Sequence, residues 1–167
     1  MLTVNKQGVY MFEDVSGRDL MFINFSGRPD NYNKKGANPS FTVRLSEEEA
    51  DMLAEDGIRV KMYTPKNVDI DPYPVMKCRV FNDSQWPTKI AVHNPSSGKT
   101  IPVRSDEMRQ LIDSIRIQKA DFTFTRSKPN GDDDRRTAYV QSIVITQEPD
   151  LLADKYGFNW ADDEYDD

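Results

Sequence analysis

The sequence predicts a mainly β protein: a small β-barrel with one or two short inserted helices, ending in a flexible acidic tail. Three observations predict it. Short β-branched or aromatic runs recur along the chain, broken by Gly, Pro, Asn and Asp. One segment carries a complete helix start signal. The third is the placement of charge. From Asp150 to Asp167 there are seven carboxylates against Lys155, a balance of −6 that equals the formal charge of all 167 residues. The rest of the chain balances at 21 basic against 21 acidic side chains. A neutral body can present local positive surface, so the acidic end reads either as a tethered competitor for a polyanion site or as a solvated tail that aids solubility.

The elements follow in order. Strands are expected over 8–15, 20–25 and 39–45, where apolar runs are bounded by Gly, Pro and Asn. Ser46-Glu47-Glu48-Glu49 then forms a capping box, with Ser46 as N-cap and acidic residues suited to the helix dipole. Ala50, Leu53 and Ala54 give that helix a thin apolar stripe, and Gly57 ends it. Strands at 58–63, 74–81 and 89–93 come next, then a second helix starting at Ser105 that buries Met108, Leu111 and Ile112. The last two strands, 114–126 and 136–147, flank a polar hairpin tip with the turn signal Asn130-Gly131. Stretches 26–38 and 65–72 read as mobile loops. The order strand–strand–strand–helix–strand is compatible with an OB-fold, giving a domain over 1–156 and an acidic-aromatic tail over 157–167.

Several classes are excluded or disfavoured. No run reaches the roughly 18 to 20 apolar residues that span a bilayer, and the first residues lack a basic segment followed by an apolar stretch. A single cysteine, Cys78, leaves no internal disulfide and no cysteine-rich zinc site. A protein free of membrane, in a reducing cytoplasm, is expected. Catalytic groupings are thin: His93 is the only histidine, with no nucleophile motif beside it, and no phosphate-cradling glycine loop is present. Asp69 with Asp71, and Asp132-Asp133-Asp134, lack an evident set of further metal ligands and read as solvated charge. No cofactor, metal or enzymatic activity is expected.

Strand alternation supplies the binding candidates. Over 58–63, Ile58, Val60 and Met62 share the core face, and Arg59, Lys61 and Tyr63 the other. Over 74–81, Met76, Cys78 and Val80 face inward, opposite Lys77, Arg79 and Phe81. Lys89 lies opposite Ile90, and Arg44 opposite Val43 and Leu45. Cations that track phosphates, interleaved with rings that stack on bases, are what a single nucleic-acid strand requires. The plainer reading is a wet strand face whose rings cap the barrel. The loop 26–38 repeats the chemistry with Arg28, Tyr32, Lys34 and Lys35. Trp86, in a turn, is either a lid on the core or a weaker stacking candidate.

Further pieces form a pattern: Phe22-Ile23-Asn24-Phe25-Ser26-Gly27, the basic Asn-rich loop, Pro39-Ser40-Phe41-Thr42-Val43, and the capped helix ending at Asp56-Gly57. Tyr73-Pro74-Val75 entering a Lys/Arg-bearing strand and Leu152-Ala153-Asp154-Lys155-Tyr156 complete it. This order resembles small bacteriophage-encoded single-stranded DNA-binding proteins with an OB-fold. The resemblance implies a sequence-tolerant binder that protects single-stranded DNA in phage replication or recombination, in the host cytoplasm, with homo-oligomers as one form. It also implies a tail that recruits replication or recombination proteins, here Trp160, Asp162, Asp163, Glu164, Tyr165, Asp166 and Asp167. The balanced body charge departs from the usual basic excess of such binders. The alternatives are a small Mg²⁺-dependent phage nuclease or junction resolvase, and a protein-interaction module.

Overall fold

The computed structural model describes residues 1–29, 36, 38–129, 131, 134–149 and 151–156. Ten strands and three α-helices appear there: β1 (Leu2–Val4), β2 (Tyr10–Ser16), β3 (Leu20–Asn24), β4 (Ser40–Arg44), α1 (Glu47–Glu55), β5 (Lys61–Tyr63), β6 (Tyr73–Arg79), β7 (Lys89–Asn94), β8 (Lys99–Val103), α2 (Asp106–Ile112), β9 (Ile117–Arg126), β10 (Ala138–Gln147) and α3 (Leu151–Tyr156). Both expected helix starts are present. Ser46 Oγ accepts the Glu49 N–H while the Glu49 carboxylate accepts the Ser46 N–H, and Ser105 Oγ caps α2 through Met108. Each such cap is worth about 1 kcal/mol against Ala.

Four differences from the sequence expectation have physical causes. β1 is a three-residue edge strand whose place comes from pairing Leu2 with Phe12, a long-range contact that local pattern does not carry. β8 contains Pro102, which argues against a strand; it is tolerated because β8 pairs on one side only, with β7. Over 58–63 regular pairing starts only at Lys61, with Ile58 held by one bridge to Arg136, and Met62 is 63% exposed instead of core-facing. In α2, Ile112 is buried and Met108 partly so, but Leu111 faces solvent. The i, i+3, i+4 spacing puts the three on one side of α2, but only the Ile112 end of that side meets the core, and Leu111 lies at its margin.

The strands form one sheet in the order β1-β2-β9-β10-β6-β4-β3, with β5 on β6, and β7 on β10 carrying β8. β4 and β9 are three places apart, about 14 Å in a flat sheet. Yet the Phe41 and Phe122 rings lie 5.1 Å apart, edge to face. The sheet therefore curls strongly about one core, giving the expected mainly β, barrel-like body, with β1 and β3 remaining at the ends of the strand path. Phe12, Phe25, Phe41, Phe122 and Phe124 are fully buried there, each worth about 1.5–3 kcal/mol of transfer free energy. Met76, Cys78 and Val80 face this core as alternation predicts, and burial raises the Cys78 thiol well above its usual range.

Besides register shifts between β9 and β10, the ladder is bulged between Phe12 and Val15 and between Met21 and Asn24. Each of these two bulges contains a non-glycine residue at positive φ, Asp14 (56°) and Phe22 (51°). At Asp14 the backbone is compensated: its N–H donates to Asp121 Oδ1 at 2.7 Å, and Lys119 Nζ donates to its carboxylate at 2.8 Å. That bond from Lys119 lowers the Asp14 pKa.

Candidate nucleic-acid interface

β6 is the axis of the face opposite the core. Alternation turns Tyr73, Val75, Lys77 and Arg79 to that side, and register extends it sideways: Arg44 and Lys61 pair with Val75, Thr42 with Lys77, Tyr63 with Tyr73, Tyr139 with Arg79. Val75 is buried although it lies outside the core cluster, because rings and long side chains cover it on this face. Two aromatic–cation groups result. At the start of β6, Tyr63 lies 5.5 Å from Tyr73 and 5.6 Å from Phe22, and the Arg44 guanidinium sits 4.0 Å from the Tyr73 ring centre. At the end of β6, Phe81 and Tyr139 meet edge to face at 4.8 Å, with the Arg79 guanidinium 4.9 Å from Phe81 and 6.0 Å from Tyr139. Stacking the guanidinium on rings fixes it without neutralising it, which leaves its charge available to a phosphate.

The second group opens into a groove of about 1290 Å³ lined by the segment after β6 and by the adjoining strands β10, β7 and β8. Phe81, Trp86, Lys89, Arg104 and Tyr139 are among its walls. This volume exceeds the roughly 300–1,000 Å³ of small-molecule pockets, so the groove suits a length of polymer. Trp86 is 82% exposed at its edge and is not a core lid. Arg109 also borders the groove but is held by Asp106 at 2.6 Å. Beyond Tyr73 the surface turns acidic: Asp19, Glu47, Glu49 and Asp71 line a neighbouring hollow, with Arg44 as the one cation among the described residues on its border. Phosphates are repelled there, so the cationic track ends at the first aromatic group.

A sequence profile of the family described as "Putative phage ssDNA-binding domain" matches residues 5–164. The chain belongs to this family. Its fold is similar to that of the single-stranded DNA-binding protein from bacteriophage Enc34 solved in complex with ssDNA, with TM-score 0.53 and 10% identity over 89% of this chain and 92% of that one. A second structure of the single-stranded DNA-binding protein from bacteriophage Enc34 gives TM-score 0.52 and 11% identity over 99% of this chain and 94% of that one. Its C-terminal truncation gives 0.52 and 10% over 89% and 91%. No curated protein matches the chain by sequence.

In this phage ssDNA-binding domain, the loop after β3 is rooted by α2. Asp113, 1% exposed at its side chain, accepts the Phe25 N–H at 2.5 Å, the Ser26 N–H at 3.3 Å and the Ser26 hydroxyl at 2.6 Å, and pairs with Arg28 at 3.2 Å. Arg28 is thus committed to the loop root, also donating to the Ile23 carbonyl. Asn82 Nδ2 ties the same root to β6 by donating to the Phe25 carbonyl at 2.7 Å. Tyr32, Lys34 and Lys35 lie outside the described residues, as do Asp132, Asp133 and the tail residues Trp160, Asp162, Asp163, Glu164, Tyr165, Asp166 and Asp167.

Of the sequence candidates, Arg44, Lys61, Tyr63, Lys77, Arg79 and Phe81 share the face, with Trp86 and Lys89 at the groove. Arg59 follows the one-bridge segment, its N–H donating to the Arg136 carbonyl. Sequence reasoning missed Phe22, Tyr73, Tyr139 and Arg104. Alternation opposite the buried Val140 marks Tyr139, and the Arg44–Val75 register marks Tyr73. Phe22 escapes any period-2 rule because a bulge re-aims it. Among the described residues no three His, Cys, Asp or Glu side chains come together as a metal site needs, and nothing supports the nuclease alternative.

Proposed function

We propose that this chain coats single-stranded DNA with little regard to sequence, phosphates following Arg44, Lys77, Lys89 and Arg104 while bases stack on Phe81, Tyr139 and Trp86. The observation that carries the reading is the Arg79–Phe81–Tyr139 stack at the mouth of a groove too large for a small molecule. Rings accept any base face, so affinity is tolerant of sequence. Neutrality of the body is no obstacle, since the cations gather on one face and the carboxylates beyond Tyr73 bound it. The biological role that fits is protection of exposed strands during phage replication or recombination, with partner proteins recruited through 157–167.

The test is fluorescence anisotropy with labelled oligo-dT against a duplex of equal length, repeated over a salt series. Single strands bind more tightly than duplex. With four exposed cations engaged, log K against log salt falls with a slope of about −3. A flat salt dependence, or equal affinity for duplex, sinks the proposal.

A further inference from the structure

We infer that Phe22 is a base-stacking residue held outward by a strained backbone, and that with Tyr63 and Tyr73 it forms a second stacking station apart from the groove. This rests on the single-stranded DNA reading proposed above. Phe22 lies in the β3 bulge, where Phe22 and Ile23 together oppose one residue of β4. Its φ of 51° is one that bulky side chains rarely adopt. Asp14, the other residue at positive φ, is of a type that tolerates it and is repaid by local hydrogen bonds. Phe22 has neither advantage: the residue is 63% exposed, so burial does not offset the strain. A strained conformation that leaves an aromatic ring in water serves something outside the fold.

What that is follows from the neighbours. Tyr63 meets Phe22 at 71° between planes, Arg44 covers Tyr73, and the Tyr73 hydroxyl donates to Met21 Sδ at 3.3 Å, so the rings around Phe22 are oriented from below. The station occupies the start of β6 and the groove its end. From Tyr73 to Arg79 is six residues, about 20 Å along a strand. Lys77 lies between them on the same face, exposed, as a phosphate bridge. At the 3.4 Å spacing of stacked nucleotides, roughly six are needed to join the stations. A four-nucleotide strand fills one station; a twelve-nucleotide strand engages both.

The experiment compares dT4 and dT12 on wild type, Phe22→Asn, Phe22→Gly and Phe22→Trp, with thermal melts alongside. Asn and Gly accept the positive φ, so neither lowers Tm, while each weakens dT12 by about 5- to 150-fold, the factor carried by one lost stacked base. Affinity for dT4 is nearly unchanged because the groove still takes it, and Phe22→Trp restores dT12. A melt lowered by several degrees with dT12 affinity unchanged makes Phe22 a structural residue and overturns the inference. Equal losses on dT4 and dT12 overturn the two-station arrangement. If wild type binds neither oligonucleotide, the single-stranded DNA reading itself has failed, and this inference with it.

Discussion

Replacing Asp113 by Ala removes one carboxylate from four partners, and the structure sets the cost. The Phe25 N–H points from a residue 1% exposed, so it is left buried without an acceptor, at about 1–3 kcal/mol. The Ser26 N–H and hydroxyl are half-buried and recover water, adding roughly 0.5 kcal/mol each. The Arg28 ion pair adds little from the Arg side, because that side chain is 54% exposed and exposed pairs contribute about 0–1 kcal/mol. The expected loss is about 2–4 kcal/mol for Asp113→Ala and under about 1 kcal/mol for Arg28→Ala. Urea denaturation followed by circular dichroism, with the slope m checked for constancy, measures both. The asymmetry is the sharp part. Similar losses for the two variants, or a cost below 0.5 kcal/mol for Asp113→Ala, refute the assignment of Asp113 as the buried anchor of the loop root.

Other expectations test separate parts of the molecule. A Cβ at Gly17 stands 1.8 Å from the Ile117 carbonyl oxygen; Gly17→Ala therefore costs about 1–3 kcal/mol or more, read from the melting temperature. Tyr10 donates to Asp56 at 2.7 Å, and burial, then that bond, push its phenol up to about 12. The folded pKa lies above the 10.0 of a free phenol, so the stability Tyr10 contributes is complete below pH 10 and is lost as pH rises through about 12. Tyr10→Phe flattens that alkaline limb in denaturation measured over pH 9 to 12. Deleting 157–167 tightens DNA binding at low salt if the tail competes for the cationic face, and an unchanged anisotropy curve there restricts the tail to partner contacts.

Legibility in the sequence followed the range of the interactions. The capping box of α1 and the Ser105 cap of α2 are local chemistry, and both helices start at the residues that signal them. Inward alternation at Met76, Cys78 and Val80 was equally readable, because period 2 survives wherever a strand is regular. It failed at Met62, where only three residues pair, and at Phe22, where the bulge breaks the period. That the cations of β4, β5 and β6 share one non-core face is legible from alternation; which strands pair is not, and it is pairing that sets β5 and β4 on opposite sides of the same Val75. The groove was illegible for the same reason. Its far wall is β8, an edge strand disguised by Pro102.

One feature of the sheet governs how the chain reaches this form. β10, the last strand along the described residues, holds β9 on one edge and both β6 and β7 on the other, in parallel register. Until residue 147 is available, the β3-β4-β6-β5 unit and the β7–β8 hairpin have no strand between them, and the rings of Phe81 and Tyr139 are in separate pieces. Emerging from a ribosome, this chain joins Tyr139 to Phe81 and completes its groove in the same late step. Such long-range closure slows folding and exposes unpaired edges while it waits. A chain that stops short of β10 therefore lacks the Phe81–Tyr139 pair and the groove, although Phe22, Tyr63 and Tyr73 already lie on strands that pair without it.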